Sequence, residues 1–159
     1  MSGTTSLIVV VPEAEAAIGA LRQRHDPSAA LGVPAHVTVL FPFVDGDKID
    51  EDALAQLFAT LPAFDFVLDR VEQWDDGVVW LHPEPSKPFE DLTRAVWRRW
   101  PDHPPYDGDF DPVVPHLTVS ETPIEVQVDL PIASRAQEVA LVEQGPDGRW
   151  TIRTTFSLA

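Results

Sequence analysis

The chain has 159 residues, 44% hydrophobic and 23% charged, enough for one ordinary globular domain spanning 1–159 with a real core. It contains no cysteine, which excludes disulfides, thiolate nucleophiles and zinc sites built on thiolates. Its formal net charge of −15 repels polyanions, so long nucleic acid and anionic membranes are disfavoured partners, and a phosphate-bearing ligand must be small or gripped by a local site that defies the global field.

In chain order, Met1 to Thr5 lacks a basic leader and Leu7 to Val11 is too short for a secretory apolar region, so cytoplasmic residence is expected. Pro12 and Glu13 also stop the one apolar run well before the ~18 residues of a membrane span. Thr5 to Val11 reads as a strand and Glu13 to His25 as a helix, acidic at its start and basic at its end. Ala17, Ile18 and Leu21 are expected on the buried side of that helix. A loop with Pro27, Gly32 and Pro34 leads to a second strand, Ala35 to Phe41.

Asp50 to Leu61 reads as a short helix, and Phe64 to Trp74 and Val78 to His82 as a hairpin around Asp75-Asp76-Gly77. Ser86 to Trp100 is a helix that Ser86 can cap, with Phe89, Leu92, Val96 and Trp97 as its apolar stripe. Pro101 to Pro115 is a long loop of the kind that often carries function. His116 to Ser120 is a strand, and Val126 to Leu130 has no clear type. Val139 to Glu143 and Arg149 to Phe156 form a last hairpin around Pro146-Asp147-Gly148. The pattern is α+β with antiparallel sheet dominating.

One internal echo carries the chemistry. Pro34-Ala35-His36-Val37-Thr38-Val39 matches Pro115-His116-Leu117-Thr118-Val119, with the two histidines 80 residues apart, half the chain. On a strand, residues i and i+2 share a face. His36 and Thr38 therefore look one way while Val37 and Val39 look into a core, and His116 and Thr118 stand opposite Leu117 and Val119 in the same manner. Such strands suit the floor of a polar cleft. Two histidines, one neutral and one protonated, can cleave a phosphodiester without a metal, one activating water and the other protonating the leaving oxygen. Threonine hydroxyls are short, stiff donors for the non-bridging oxygens. The plainer reading is two partly buried histidines bonded by neighbouring backbone.

These segments, Pro34 to Phe43 and Pro105-Tyr106 through Val119, resemble the two signature regions of the two-histidine phosphoesterase superfamily, in its bacterial 2′-5′ RNA ligase-like branch. The ending from Glu138 to Phe156, with its Asp147-Gly148-Arg149-Trp150 turn, is similar too. The resemblance implies a bilobal, pseudo-twofold pair of antiparallel sheets, helices outside, and a shared cleft with no metal or other cofactor. His36, Thr38, His116 and Thr118 would be its catalytic set, opening 2′,3′-cyclic phosphates or acting on 2′–5′ bonds in a small nucleotide or a short RNA end. Ser120 stands where the ligase proper often carries Arg, which argues against ligation of large RNA. A monomer is the expected state.

Tyr106 and Phe43 are candidates to stack on a base, with Phe110 in the same loop, whereas Phe41 is read as core. Asp107, Asp109 and Asp111 alternate, but Pro112 and Thr118 stand where a calcium loop needs Gly and Glu, so the segment is read as a solvated acidic loop. Arg135 is read as solvated, and His25, His82 and His103 as surface or capping residues. Two other classes remain. One is a non-catalytic sensor that binds a small phosphorylated nucleotide in the same cleft. The other is a metal hydrolase, which lacks a convincing nearby carboxylate.

Overall fold

The computed structural model describes residues 3–108 and 113–159. β1 (Thr5–Val10) leads into α1 (Pro12–His25), a short α2 (Pro27–Ala30) and β2 (His36–Leu40). After α3 (Glu51–Phe58) come β3 (Phe64–Gln73), β4 (Val79–Glu84) and α4 (Lys87–Arg99). β5 (Leu117–Ser120), β6 (Ile132–Ala136), β7 (Glu138–Gln144) and β8 (Trp150–Ser157) complete the order. Two four-stranded antiparallel sheets result, ordered β2-β1-β7-β8 and β5-β4-β3-β6.

The sheets repeat one device. In each, a strand runs into a helix, and the chain returns as an edge strand antiparallel to the first: β1–α1–β2 and β4–α4–β5. The helices are exchanged, α1 packing beneath β5 and β6 of the other sheet and α4 beneath β2. The principal core accordingly draws on both halves, from Leu7, Val9 and Leu141 to Leu68, Leu81 and Leu117. Thr93 fixes one crossing by donating its buried hydroxyl to the Val39 carbonyl at 2.6 Å. Among the described residues no helix is long and apolar enough to cross a membrane.

Most expected elements appear within a residue or two, and the exceptions have physical causes. α1 buries Ala14, Ile18, Gly19 and Arg22 and leaves Ala17 exposed, so its inner face is turned away from the expected stripe. The reason is Arg22, which an apolar count reads as solvent-facing. Its guanidinium, 1% exposed, bonds Asp26 at 3.1 Å, the Val33 carbonyl at 3.0 Å and Ser28 at 3.3 Å. Asp26 also caps α2, which a pattern of Pro, Gly and Ser hides as loop. In α4, Trp97 is 40% exposed and Thr93 takes its place inside. Ser86 holds the N-cap position without a side-chain cap bond. β6 escapes a sequence reading because Ile132-Ala133-Ser134-Arg135-Ala136 has only weak alternation and is defined by pairing with β3.

Arg22 and Glu15 together clasp the segment entering β2. Glu15 accepts the Ala35 amide at 2.7 Å, one residue before His36. Substituting Arg22 by Met removes one partner of a buried ion pair and strands Asp26, so urea unfolding should show a loss of about 3–5 kcal/mol. The double change Arg22→Met with Asp26→Leu should recover much of it.

Candidate active site

β2 and β5 are edge strands, and they are the edges at which the two sheets meet. Val37, Val39, Leu117 and Val119 are fully buried, which forces His36, Thr38, His116 and Thr118 onto the opposite, partly open faces. The alternation expected from the sequence is what the strands display.

The two histidines are held alike. The His36 Nδ1–H donates to the Pro34 carbonyl at 2.7 Å, and the His116 Nδ1–H donates to the Val114 carbonyl at 2.7 Å. A carbonyl can only accept, so each neutral ring carries its proton on Nδ1 and keeps Nε2 as the lone-pair nitrogen. Burial pushes the His36 imidazole down to about 4, against the opposing pull of the Pro34 carbonyl. Arg22 and His116 repel its charged form as well, so the rings lie within electrostatic reach. His116 is also lowered by burial, opposed by the Val114 carbonyl.

Tyr106 joins the motifs. Its hydroxyl is hydrogen-bonded with Thr38 and its ring stacks on His116 at 6.4 Å between centroids. It sits with Asp107 in the left-handed region, at φ 52° and 55°, a conformation costing non-glycine residues of order 1–3 kcal/mol each. The Tyr106 amide bonded to the Phe41 carbonyl at 2.6 Å helps to hold it there. Phe43 is a correction: it is 4% exposed and packs edge-on against Trp100 at 5.4 Å and beside His103, as core. Its side chain turns inward against Trp100, the C-cap residue of α4, rather than to the rim. Phe41 packs against Trp150 and Tyr106. Phe110, Asp109 and Asp111 lie outside the described residues.

A cavity of about 630 Å³ opens beside His116 and Thr118, walled by Tyr106, Val114, Trp74 and Val78 and edged by Asp75, Asp76 and Glu121. Trp74 meets the His116 ring edge-on at 4.6 Å, with Trp80 behind it at 5.0 Å. Sequence reasoning missed Trp74. Its signal lay in register: Glu72 pairs with Trp80 and Trp80 with Thr118, so the period of two carries Trp74 onto the histidine face. Ser120, in place of a ligase arginine, is buried and turned into a local bond with the Thr122 carbonyl at 2.6 Å.

His82 departs from its expected surface role, since it is 14% exposed and bonded to Asp69 at 2.8 Å. Asp69, His82 and Glu84 bring possible ligand atoms within 4.8 Å of one another. Arg70, paired with Asp69 and Glu72, already supplies a cation beside them. Arg135 pairs with Asp65 on the surface.

Two edge strands of separate antiparallel sheets, each presenting His-x-Thr, match what the resemblance to the two-histidine phosphoesterases implies. Residues 10–156 match the family described as the 2′-5′ RNA ligase superfamily, and the chain belongs to it. The fold is shared with Escherichia coli LigT complexed with 3′-AMP, at TM-score 0.73 and 20% identity, covering 100% of this chain and 99% of that one. LigT complexed with NADP+ aligns at 0.69 and 22%, covering 99% and 98%. TT0787 of Thermus thermophilus aligns at 0.65 and 20%, covering 98% and 97%. No curated protein matches the sequence.

The depressed histidines make stability depend on pH. Between about 4 and 6.5 the unfolded chain binds a proton at His36 that the folded chain does not, and His116 acts with the same sign. Stability should therefore rise with pH across that window. Urea midpoints taken at the two ends check this, and His36→Gln should flatten the dependence.

Proposed function

We propose that the chain is a metal-independent phosphodiesterase that opens 2′,3′-cyclic phosphates of a nucleotide or a short RNA end, with 2′–5′ diesters as the related substrate. The observation that carries this reading is the matched tethering of His36 and His116, each through Nδ1 to the carbonyl two residues earlier. It leaves two Nε2 atoms of like chemistry at the meeting edges, each with a threonine two residues on.

His36, more deeply desolvated and neutral at ordinary pH, is the base. Its Nε2 takes a proton from water as the water oxygen bonds to phosphorus. His116, protonated in the complex by the attraction of the bound phosphate, gives its Nε2 proton to the departing sugar oxygen as that phosphorus–oxygen bond breaks. The product is a phosphomonoester with a free neighbouring hydroxyl, and charge is conserved. Thr38 and Thr118 donate to the non-bridging oxygens, Thr38 exchanging its bond with Tyr106 for one with the substrate. Tyr106 then stands beside the base or ribose. That LigT has been seen with 3′-AMP, NADP+ and ATP supports a small nucleotide as the ligand class.

The competing reading, a sensor that binds a nucleotide without turnover, leaves the acid–base pair without a purpose. Incubation with 2′,3′-cyclic nucleotides and 2′–5′ dinucleotides, with products resolved chromatographically, separates the two. Turnover supports the enzyme, and tight binding without product supports the sensor.

Replacing His36 or His116 by Ala should lower kcat by roughly 10²–10⁴. The double variant should lose far less than the product of the single effects, because the pair acts as a unit. Chelators should leave the rate unchanged; loss of activity restored by a divalent ion would overturn the metal-free scheme. kcat/KM reports the free enzyme, so its bell should rise near His36's value of about 4 and fall below the ordinary imidazole value of 6.5. The kcat profile should lie to higher pH, since bound phosphate favours imidazolium.

A further inference from the structure

The cavity beside His116 has a sign. Asp75, Asp76 and Glu121 edge it, and among the described residues no lysine or arginine lines it. Nor, among those residues, does an ion pair neutralise any of the three, which are exposed; Asp76 accepts the Val78 turn amide at 3.1 Å. Its walls include two aromatic rings, Trp74 and Tyr106, both in ring contact with His116.

We propose that this cavity narrows the proposed substrates to phosphodiesters bearing one negative charge only, the single nucleotide rather than the RNA end, whose remaining part is a neutral or cationic ring seated against Trp74 and Tyr106. This deepens the function proposed above and rests on it. At the reacting position a phosphate meets Thr38, Thr118 and the histidines. Of these, His116 and Thr118 line the cavity, so a second phosphate on a group seated in it lies among its carboxylates. Low-dielectric walls focus the field of those carboxylates inward, and unpaired like charges are a strong instrument of rejection. Ring faces beside carboxylates attract neutral aromatic and cationic groups instead. The local site thus reinforces the global charge of −15 rather than defying it. 2′,3′-Cyclic mononucleotides without a 5′-phosphate and similar single diesters are the substrate class; 5′-phosphorylated nucleotides and internal positions of an RNA are rejected.

The test compares kcat/KM for 2′,3′-cyclic AMP and for the same compound with a 5′-phosphate, at low and high salt. The 5′-phosphate should cost at least about tenfold at low salt, and the gap should narrow as salt screens it. In the variant Asp75→Asn, Asp76→Asn, Glu121→Gln, the ratio between the two substrates should move toward one. Glu121→Gln alone, away from the turn, should move it part of the way and guards against a turn that misfolds. Equal kcat/KM in the wild type, or a ratio that none of the substitutions moves, overturns the proposal. If neither compound is turned over, the phosphodiesterase reading fails by itself. Calorimetric binding of 3′-AMP against adenosine 3′,5′-bisphosphate then reads the same selectivity, and equal affinities would sink it.

Discussion

Everything at the site depends on a strand having only two faces. In β2 and β5 the apolar residues at alternate positions are claimed by a core that both sheets share, and the exchange of α1 and α4 completes that core from opposite sides. A one-residue slip in either strand would bury the histidine and threonine and expose two aliphatic side chains. Hydrophobic burial therefore fixes the orientation of the polar groups, although none of the polar groups contributes to it. Because each motif lies on an edge strand and those two edges contact one another, the two histidines come within electrostatic reach.

Orientation alone does not choose a tautomer. That is done by the backbone turn before each strand, where the carbonyl two residues back accepts Nδ1–H. The turn before β2 is held by the Arg22 and Glu15 side chains of α1, acting on the Val33 carbonyl and the Ala35 amide. A buried ion pair is seldom a net source of stability. Here it connects the helix to the segment that aims a histidine, which gives the retained charge a positioning role. The same packing desolvates the His36 ring and holds it neutral.

How much of this was legible in the sequence depends on range. The sheets, the two motif strands and their facing were readable because period-two alternation and Gly-centred turns are local signals. Tyr106 was readable as a candidate because it sits in a long loop just before a motif. Phe43 misled because an aromatic three residues past a motif strand reads as rim or core alike, and only the packing of Trp100 decides for core. Arg22 misled because a charged residue counts as solvent-facing until its partners are known. Trp74, Asp75, Asp76 and Glu121 needed the register of β3, β4 and β5 across three strands, which no local pattern contains.

The acidity of the chain then acquires a definite meaning. A protein that handles phosphate esters usually carries a basic groove, because backbone contacts supply most of the affinity for a polyanion. In the proposed scheme the phosphate is met by two threonine hydroxyls, a neutral His36 and a His116 that is charged only once the phosphate is bound, while carboxylates line the cavity beside His116. Such a site gives up affinity for the ground-state dianion or polyanion. What it retains is a donor set that strengthens only as charge shifts onto the oxygens of the reacting group, and interactions that grow toward the transition state raise the rate without trapping substrate or product. Repulsion of the product, which carries more negative charge than the diester it came from, favours its departure. In the proposed scheme the carboxylates serve turnover as well as selection.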